Sequence, residues 1–256
     1  MCMNDLNRSL VVMADGRKVT GFRRAHLMGR DSLGLYPQPF LLRLWNLSED
    51  GYYALYAAKE ITVLSGDAVL AYGKVSDVCR KAVPEGTITE AVFSPGLPLW
   101  EARVSLSVEA GVSVSETVRR ILDASGTGIS LLSFPGEDPV FSRPQAFYGR
   151  AAECILEALS SADALCFLAP AGLCVIPASG PPESMALTGA DLVDAPVRLP
   201  GGRMLLRTRV TGWPLGKTVS VSRMDLRAEG LILERSVNAD NMEGKWEAEL
   251  LLRLKI

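Results

Sequence analysis

The sequence of 256 residues predicts an α+β protein that is mostly β, with two β-barrel-like domains flanking a small inserted α+β region. Two observations predict this class. Apolar and polar residues alternate in short segments near both ends of the chain, and two segments with helical apolar spacing lie between them. Apolar content of 48% with 22% charged residues is typical of a globular protein with a packed core. The predicted domains span residues 1–95, 96–185 and 186–256.

The N-terminal domain is predicted as strands separated by turns, with one short helix. Asp15-Gly16 has the composition of a hairpin turn. A short helix is expected over 48–59, since Ser48 can cap its start and Tyr52, Leu55 and Tyr56 share one helical face. The predicted strands are 9–14, 18–22, 40–45, 60–64, 68–72 and 75–83. Residues 84–101 are rich in proline and glycine, and we expect neither helix nor strand there but a domain boundary.

The inserted region is predicted to contain two helices and a hairpin. A strand at 104–108 precedes a helix at about 115–124, which Ser113 and Glu116 can cap at its start and Gly126 can end. A second helix is expected at about 150–161. Strands at 165–169 and 173–177 then form a hairpin.

The C-terminal domain follows a predicted linker at Gly180-Pro181-Pro182 and is again predicted as strands, at 205–210, 218–222, 231–237 and 246–256. The polar stretch 225–230 is expected to separate two of them. Residues 246–256 alternate strictly between apolar and polar side chains, which predicts a long strand with one buried face.

Composition argues against several classes of function. A net charge of −2 gives no general field for gripping nucleic acid. The odd number of cysteines, Cys2, Cys79, Cys154, Cys166 and Cys174, forms no C-x-x-C pair and indicates buried thiols in a reducing compartment. With a single histidine, a zinc site is not expected. Residues 1–10 do not resemble a signal peptide and no apolar run suits a membrane span, so we expect the chain to stay in the compartment where it is made and not to insert into membrane.

The sequence offers few parts for catalysis. His26 lies among arginines in what is predicted to be an exposed polar stretch. Gly216-Lys217-Thr218 resembles the end of a phosphate-binding loop, but Thr211 stands where that motif needs glycine and a strand is predicted to follow. Glu49-Asp50 and Glu137-Asp138 keep open the alternative of a cell-wall hydrolase, although sequence neighbours cannot by themselves span a glycosidic bond. We therefore predict no catalytic, cofactor-binding or metal-binding residues, no cofactor, and a protein that is not an enzyme.

The order of elements resembles the baseplate hub proteins of bacteriophage tails. Residues 40–48 with 61–67 look like the first tube domain of these hubs, and 112–126 with 148–177 look like their inserted region. Five segments look like parts of the second tube domain of these hubs, namely 187–189, 195–196, 214–219, 230–238 and 246–254. The chain is shorter than many hubs, which puts any attached lytic or lectin domain in doubt.

This resemblance implies a function and partners. Hubs of this family, related to the base of VgrG spikes in type VI secretion, form homotrimeric rings in which six tube domains match a hexameric tail tube above and a trimeric spike below. The chain would then be made in the bacterial cytoplasm and reside in the baseplate of a virion tail after assembly. DNA would pass through the lumen without specific binding. The base of a type VI secretion-like spike is the alternative of the same structural kind.

Overall fold

The computed structural model describes residues 8–134, 136–181, 183–209, 212, 214–223 and 226–255. The predicted class is confirmed, because the chain is mostly β with few helices. The described strands run as an open path, and within these residues neither end region closes into a barrel.

The N-terminal part contains seven strands and one helix among the described residues. They are β1 (Val11–Ala14), β2 (Arg17–Val19), β3 (Arg24–Ser32), β4 (Phe40–Trp45), α1 (Glu49–Tyr56), β5 (Glu60–Ser65), β6 (Ala68–Val83) and β7 (Gly86–Ser94). Asp15 and Gly16 have φ values of 46° and 75°, as a tight hairpin turn with two left-handed residues requires. The predicted hairpin is therefore confirmed.

The middle part carries the remaining described helices and two small sheets. Its elements are α2 (Leu97–Glu101), β8 (Arg103–Val108), α3 (Val114–Ser125), β9 (Leu131–Ser133), β10 (Gln145–Arg150), α4 (Ala151–Leu159), β11 (Ala164–Ala169) and β12 (Gly172–Pro177). Both predicted helices and the hairpin are confirmed. The Ser113 hydroxyl accepts from the Glu116 amide at 3.3 Å, and Gly126 has a left-handed φ of 63°, so the predicted caps of α3 are in place.

The C-terminal part consists of strands. They are β13 (Ser184–Thr188), β14 (Val197–Leu199), β15 (Arg203–Arg209), β16 (Thr218–Arg223), β17 (Leu226–Asp240) and β18 (Trp246–Leu254). The long alternating strand predicted at the end of the chain is confirmed as β18, while Ile256 lies outside the described residues. Val210, the predicted last residue of β15, is also outside them.

The described strands of the two end parts form one 13-stranded sheet. Its main path is β14-β15-β18-β17-β3-β4-β7-β6-β5-β1-β2, with β16 on β17 and β13 on β16. The two parts join where residues 234–240 of β17 pair antiparallel with residues 26–32 of β3. The middle part stands apart from this sheet with its own strand pairs, β8 with β10 and β9-β12-β11.

The described residues contain three buried apolar clusters, one in each of the N-terminal, middle and C-terminal parts. The first lies under the N-terminal strands and includes Val237, Ala239 and Trp246 from β17 and β18. The second packs α3 and α4 against the middle strands, and the third lies under β15 to β18. The division into domains at 95 and 185 stays a prediction, because separate cores do not by themselves show independent folding units.

Three expectations about local structure are wrong. The stretch 84–101, expected to hold neither helix nor strand, contains β7 at 86–94 between β4 and β6, because Pro84 and Pro95 bracket a β-branched segment and leave it uninterrupted. It also contains the short helix α2, which has a proline in its first turn, where proline is tolerated. The stretch around His26, expected to be exposed, is the central strand β3. The polar residues before Leu231 belong to β17, whose solvent-facing side tolerates charge.

Candidate assembly surface

The titratable residues singled out in the sequence are spread over the fold. The His26 ring lies on β3 and its Nε2 is 2.8 Å from Asn238 Oδ1 on the neighbouring strand. Glu49 forms an ion pair with Arg80 at the start of α1. Asp138 accepts from the amide and the hydroxyl of Ser115 at 2.9 and 2.6 Å, as a second cap of α3. The structure therefore places these groups in supporting contacts and does not bring them together.

The Asp138 carboxylate shows why these acids are structural. Burial acts to raise its pKa, but the hydrogen bonds from Ser115 outweigh burial and hold the pKa below the ordinary value. A carboxylate held ionised against helix amides is suited to capping and unsuited to donating a proton.

Gly216-Lys217-Thr218 does not have the backbone structure of a phosphate-binding loop. Gly216 turns the chain with φ at 71°, and Thr218 then starts strand β16. A phosphate-binding loop needs a helix N-terminus at that place to supply free amides. Thr211 lies outside the described residues.

The described cysteines are unpaired thiols at separate places. Cys154 and Cys166 are buried, Cys79 and Cys174 are half-buried, and Cys2 lies outside the described residues. Burial raises the pKa of Cys166 to about 12, so this thiol stays protonated at neutral pH. Within the described part of the chain, no three His, Cys, Asp or Glu side chains are grouped to hold a metal ion. No helix in that part is both long and apolar enough to cross a bilayer.

A buried ion pair fastens the junction between β3 and β17. Arg235 donates to both carboxylate oxygens of Asp31, at 3.0 and 2.7 Å, and also to the Leu70 carbonyl at 2.8 Å. Both side chains are at most 15% exposed. Burial raises the pKa of Asp31, and the guanidinium opposes that rise. The pair links strands from both end parts of the chain, and its geometry fixes their register.

A second polar contact closes the other end of the same junction. Arg24 on β3 binds the buried Asp240 carboxylate at the end of β17 through several hydrogen bonds. Beside them, the Ala25 amide donates to the Asn241 side chain at 2.8 Å, and the Asn241 amide donates back to the Ala25 carbonyl at 3.1 Å. The two end parts are therefore held by ion pairs at both ends of one strand pair.

The sheet that these contacts hold together has one buried face and one wet face. We call the wet side the outer face and define it by half-buried or exposed residues of six adjacent strands. They are Leu205, Arg207, Glu249, Leu251, Ser236, Asn238, Met28, Arg30, Leu41, Arg43, Glu90 and Val92. Its charges alternate and pair across strands, as in Arg43 with Glu90 at 2.8 Å.

The free edges of the sheet differ in chemistry. At the N-terminal edge, β2 exposes Arg17 and Lys18, the charged side chains that protect an open edge from pairing. At the other end of the path, Val197 on β14 is 52% exposed. Met185 on the outlying strand β13 is 37% exposed. Each C-terminal edge strand therefore exposes a large apolar side chain, although Arg198 is also exposed beside Val197 on β14.

The comparisons with known proteins agree with this geometry. No protein-family model and no curated protein matches the sequence. Solved structures that share the fold include three phage tail or secretion proteins, each at 14% sequence identity or less. A tail protein from Neisseria meningitidis has a TM-score of 0.72 at 11% identity, covering 95% of each chain. An E. coli type VI secretion component, described as similar in structure to the T4 tail proteins gp27 and gp5, has a TM-score of 0.71 at 12% identity, covering 96% of this chain and 77% of its own.

The 43 kDa tail protein of prophage MuSo2 from Shewanella oneidensis has a TM-score of 0.66 at 14% identity, covering 95% of this chain and 97% of its own. The resemblance predicted from element order is thus confirmed at the level of fold. The chain has the fold of phage tail and type VI spike-related proteins.

Proposed function

We propose that this chain is the structural baseplate hub of a phage or prophage tail, in which three copies form a ring that adapts a hexameric tail tube to a trimeric spike. The observation that carries the proposal is the single sheet built from both end parts of the chain and fixed by the β3–β17 junction. Three subunits with two strand-rich halves each would offer six similar surfaces in a ring, provided that the two halves are held in a fixed orientation.

The outer face and the edges support an assembly role over a catalytic one. Alternating charges that pair within the sheet leave little net field, which suits passage of DNA without specific binding. Edge strands that expose apolar side chains supply the pairing and buried area on which an interface depends. We propose that the chain is not an enzyme and that it resides in the virion tail after synthesis in the bacterial cytoplasm.

One observation favours a second candidate. The E. coli structure of similar fold belongs to a type VI secretion component, so the base of a secretion spike fits the same fold. Both candidates need a ring of three subunits and differ in the proteins above and below it.

The test is the mass of the purified chain by light scattering over a range of concentrations, joined to electron microscopy of tails carrying a labelled chain. The hub proposal expects particles of three times 27.6 kDa and the label at the tube end nearest the spike. Val197→Lys at the β14 edge should lower trimer affinity at least about tenfold, since a charge at a pairing edge opposes association. Val140→Lys is the matched control, because Val140 is 60% exposed and lies in the middle part.

Two results would contradict the hub. One is a stable dimer that Val197→Lys leaves unchanged, and the other is release of soluble fragments from peptidoglycan by the purified chain. Label found along the whole tube would likewise assign the chain to a different tail component.

A further inference from the structure

A group of exposed or half-buried aromatic and arginine side chains lies outside the large sheet, on the middle part and on the connection between β3 and β4. We call it the aromatic patch and define it by Tyr36, Trp100, Arg103, Tyr148 and Arg150. Tyr148 is 83% exposed and Tyr36 is 64% exposed, and Tyr148 is the most exposed of the large hydrophobic side chains among the described residues.

The strand pair β8–β10 explains why Tyr148 points into water. Phe147 is buried, so its neighbour on β10 projects from the opposite side of the pleat. Tyr148 lies opposite Ser105, and the flanking residues Ala146 and Ser107 are also small and exposed. Small neighbours leave the Tyr148 ring open to contact from above.

Trp100 is held rigidly at the end of this surface. Its indole Nε1 donates to the Leu35 carbonyl, its ring lies 5.1 Å from the Tyr36 ring, and the Arg150 guanidinium lies 5.1 Å from its centroid. Side chains that are ordered before binding lose less entropy when a partner arrives. Tyr36, Trp100 and Arg150 are therefore preorganised, and Tyr148 projects from the same side of β10 as Arg150, two residues away.

The charges of the patch indicate the chemistry of its partner. Arg150 and Arg103 are direct neighbours across β8 and β10, and like charges placed opposite each other are unfavourable. Arg150 has the exposed Glu153 at 3.4 Å, whereas no carboxylate lies within salt-bridge distance of Arg103 in the described residues. This local positive pair stands out on a chain with net charge −2.

We infer that the aromatic patch is a docking site for an acidic segment of another protein that also carries aromatic or apolar side chains. Tyrosine, tryptophan and arginine are the residue types that dominate the energy of protein interfaces, and carboxylates suit the guanidinium pair. The inference goes beyond the hub proposal and does not depend on the ring, because no residue of the patch belongs to the large sheet.

The test measures binding of the full chain to a labelled random copolymer of glutamate and tyrosine by fluorescence anisotropy, with polyglutamate as the probe without rings. We expect tighter binding to the copolymer than to polyglutamate. Arg103→Glu and Tyr148→Ala should each weaken copolymer binding at least about tenfold. Arg120→Glu and Tyr53→Ala are matched controls, since both side chains are exposed and lie outside the patch.

Several results would overturn the inference. Equal binding of both polymers would show general charge attraction, and unchanged affinity in the two patch variants would place binding elsewhere. Displacement of the copolymer by N-acetylglucosamine oligomers, with tighter binding of those oligomers, would assign the patch to glycan. Loss of self-association in Tyr148→Ala by light scattering, without loss of copolymer binding, would assign it to a second copy. Because both variants replace exposed side chains, unchanged melting temperatures are expected and are checked first.

Discussion

Strand β6 in the N-terminal part and strand β17 in the C-terminal part are 16 and 15 residues long, and each changes its neighbour partway along. The first half of β6 pairs with β5 and the second half with β7, both from its own part. The first half of β17 pairs with β16 of its own part, but the second half pairs with β3. Both strands have an irregularity near the middle. Strand β6 pairs only within the N-terminal part, whereas β17 joins the C-terminal part to the N-terminal part.

The two buried cores also differ in whether they take residues from the other part of the chain. The N-terminal core takes Val237, Ala239 and Trp246 from the C-terminal strands, whereas the buried residues of the C-terminal core all come from its own part. Without β17 and β18 the N-terminal core would be uncovered along one side. That residues 1–95 and 186–256 are two tube domains, as the resemblance to the hubs implies, stays a prediction, and the junction is the place to test how far they act separately.

The largest effect is expected from breaking the buried pair at the junction. Arg235→Met leaves the Asp31 carboxylate buried without its guanidinium, which should lower the free energy of unfolding by about 3–5 kcal/mol in urea titration. The double variant Asp31→Leu with Arg235→Met should recover most of that loss, because it removes both charges. A double variant as unstable as the single one would show that the pair itself, rather than the orphaned charge, carries the stability.

A pair of core truncations should show whether the two parts unfold together. Leu44→Ala in the N-terminal core and Leu250→Ala in the C-terminal core each remove a fully buried side chain and should cost about 2–5 kcal/mol. If the β3–β17 junction couples the parts, both variants lower the midpoint of one common calorimetric transition. Two transitions, of which each variant shifts only its own, would show that the parts are thermodynamically separate.

A smaller effect is expected from the second junction contact, and it depends on pH. Burial acts to raise the pKa of Asp240, but hydrogen bonds from Arg24 and from the Met242 and Glu243 amides outweigh it and hold the pKa below 3.8. A carboxyl whose folded pKa is lowered adds stability above its unfolded pKa and loses it as pH falls through the folded value. Asp240→Asn should therefore cost about 1–3 kcal/mol at pH 7, and the deficit should shrink below about pH 3.8.

The control for this pH dependence is Glu229→Gln. Glu229 is paired with Lys255 at 2.8 Å on the surface, where both side chains are at least 35% exposed. Exposed pairs contribute little, so the change in unfolding free energy should stay within about 1 kcal/mol at all pH values. A deficit for Asp240→Asn that does not vary with pH would show that lost packing outweighs lost charge.

Sequence patterns located the elements whose signals are local. The Asp15-Gly16 hairpin, the caps of α3 at Ser113 and Gly126, and the alternation of β18 all depend on residues close together in the chain. Strand β3 was missed because Arg24, His26 and Arg30 stand on its outer face, although Ala25 and Leu27 alternate with them. Strand β7 was not predicted, because the prolines on both sides give the region the composition of a turn although its interior is β-branched.

The sequence by itself determined the class of the fold, helices α3 and α4 of the middle part and the long amphipathic strand β18, because periodicity, capping and turn chemistry are local properties. Only the tertiary structure decided that β3 joins β17, that Asp31 meets Arg235 across 204 positions of sequence, and that Tyr36 and Arg150 both contact the Trp100 ring. Partners so far apart are selected by burial and by satisfaction of hydrogen bonds in the whole molecule, and no pattern within a short window carries that information.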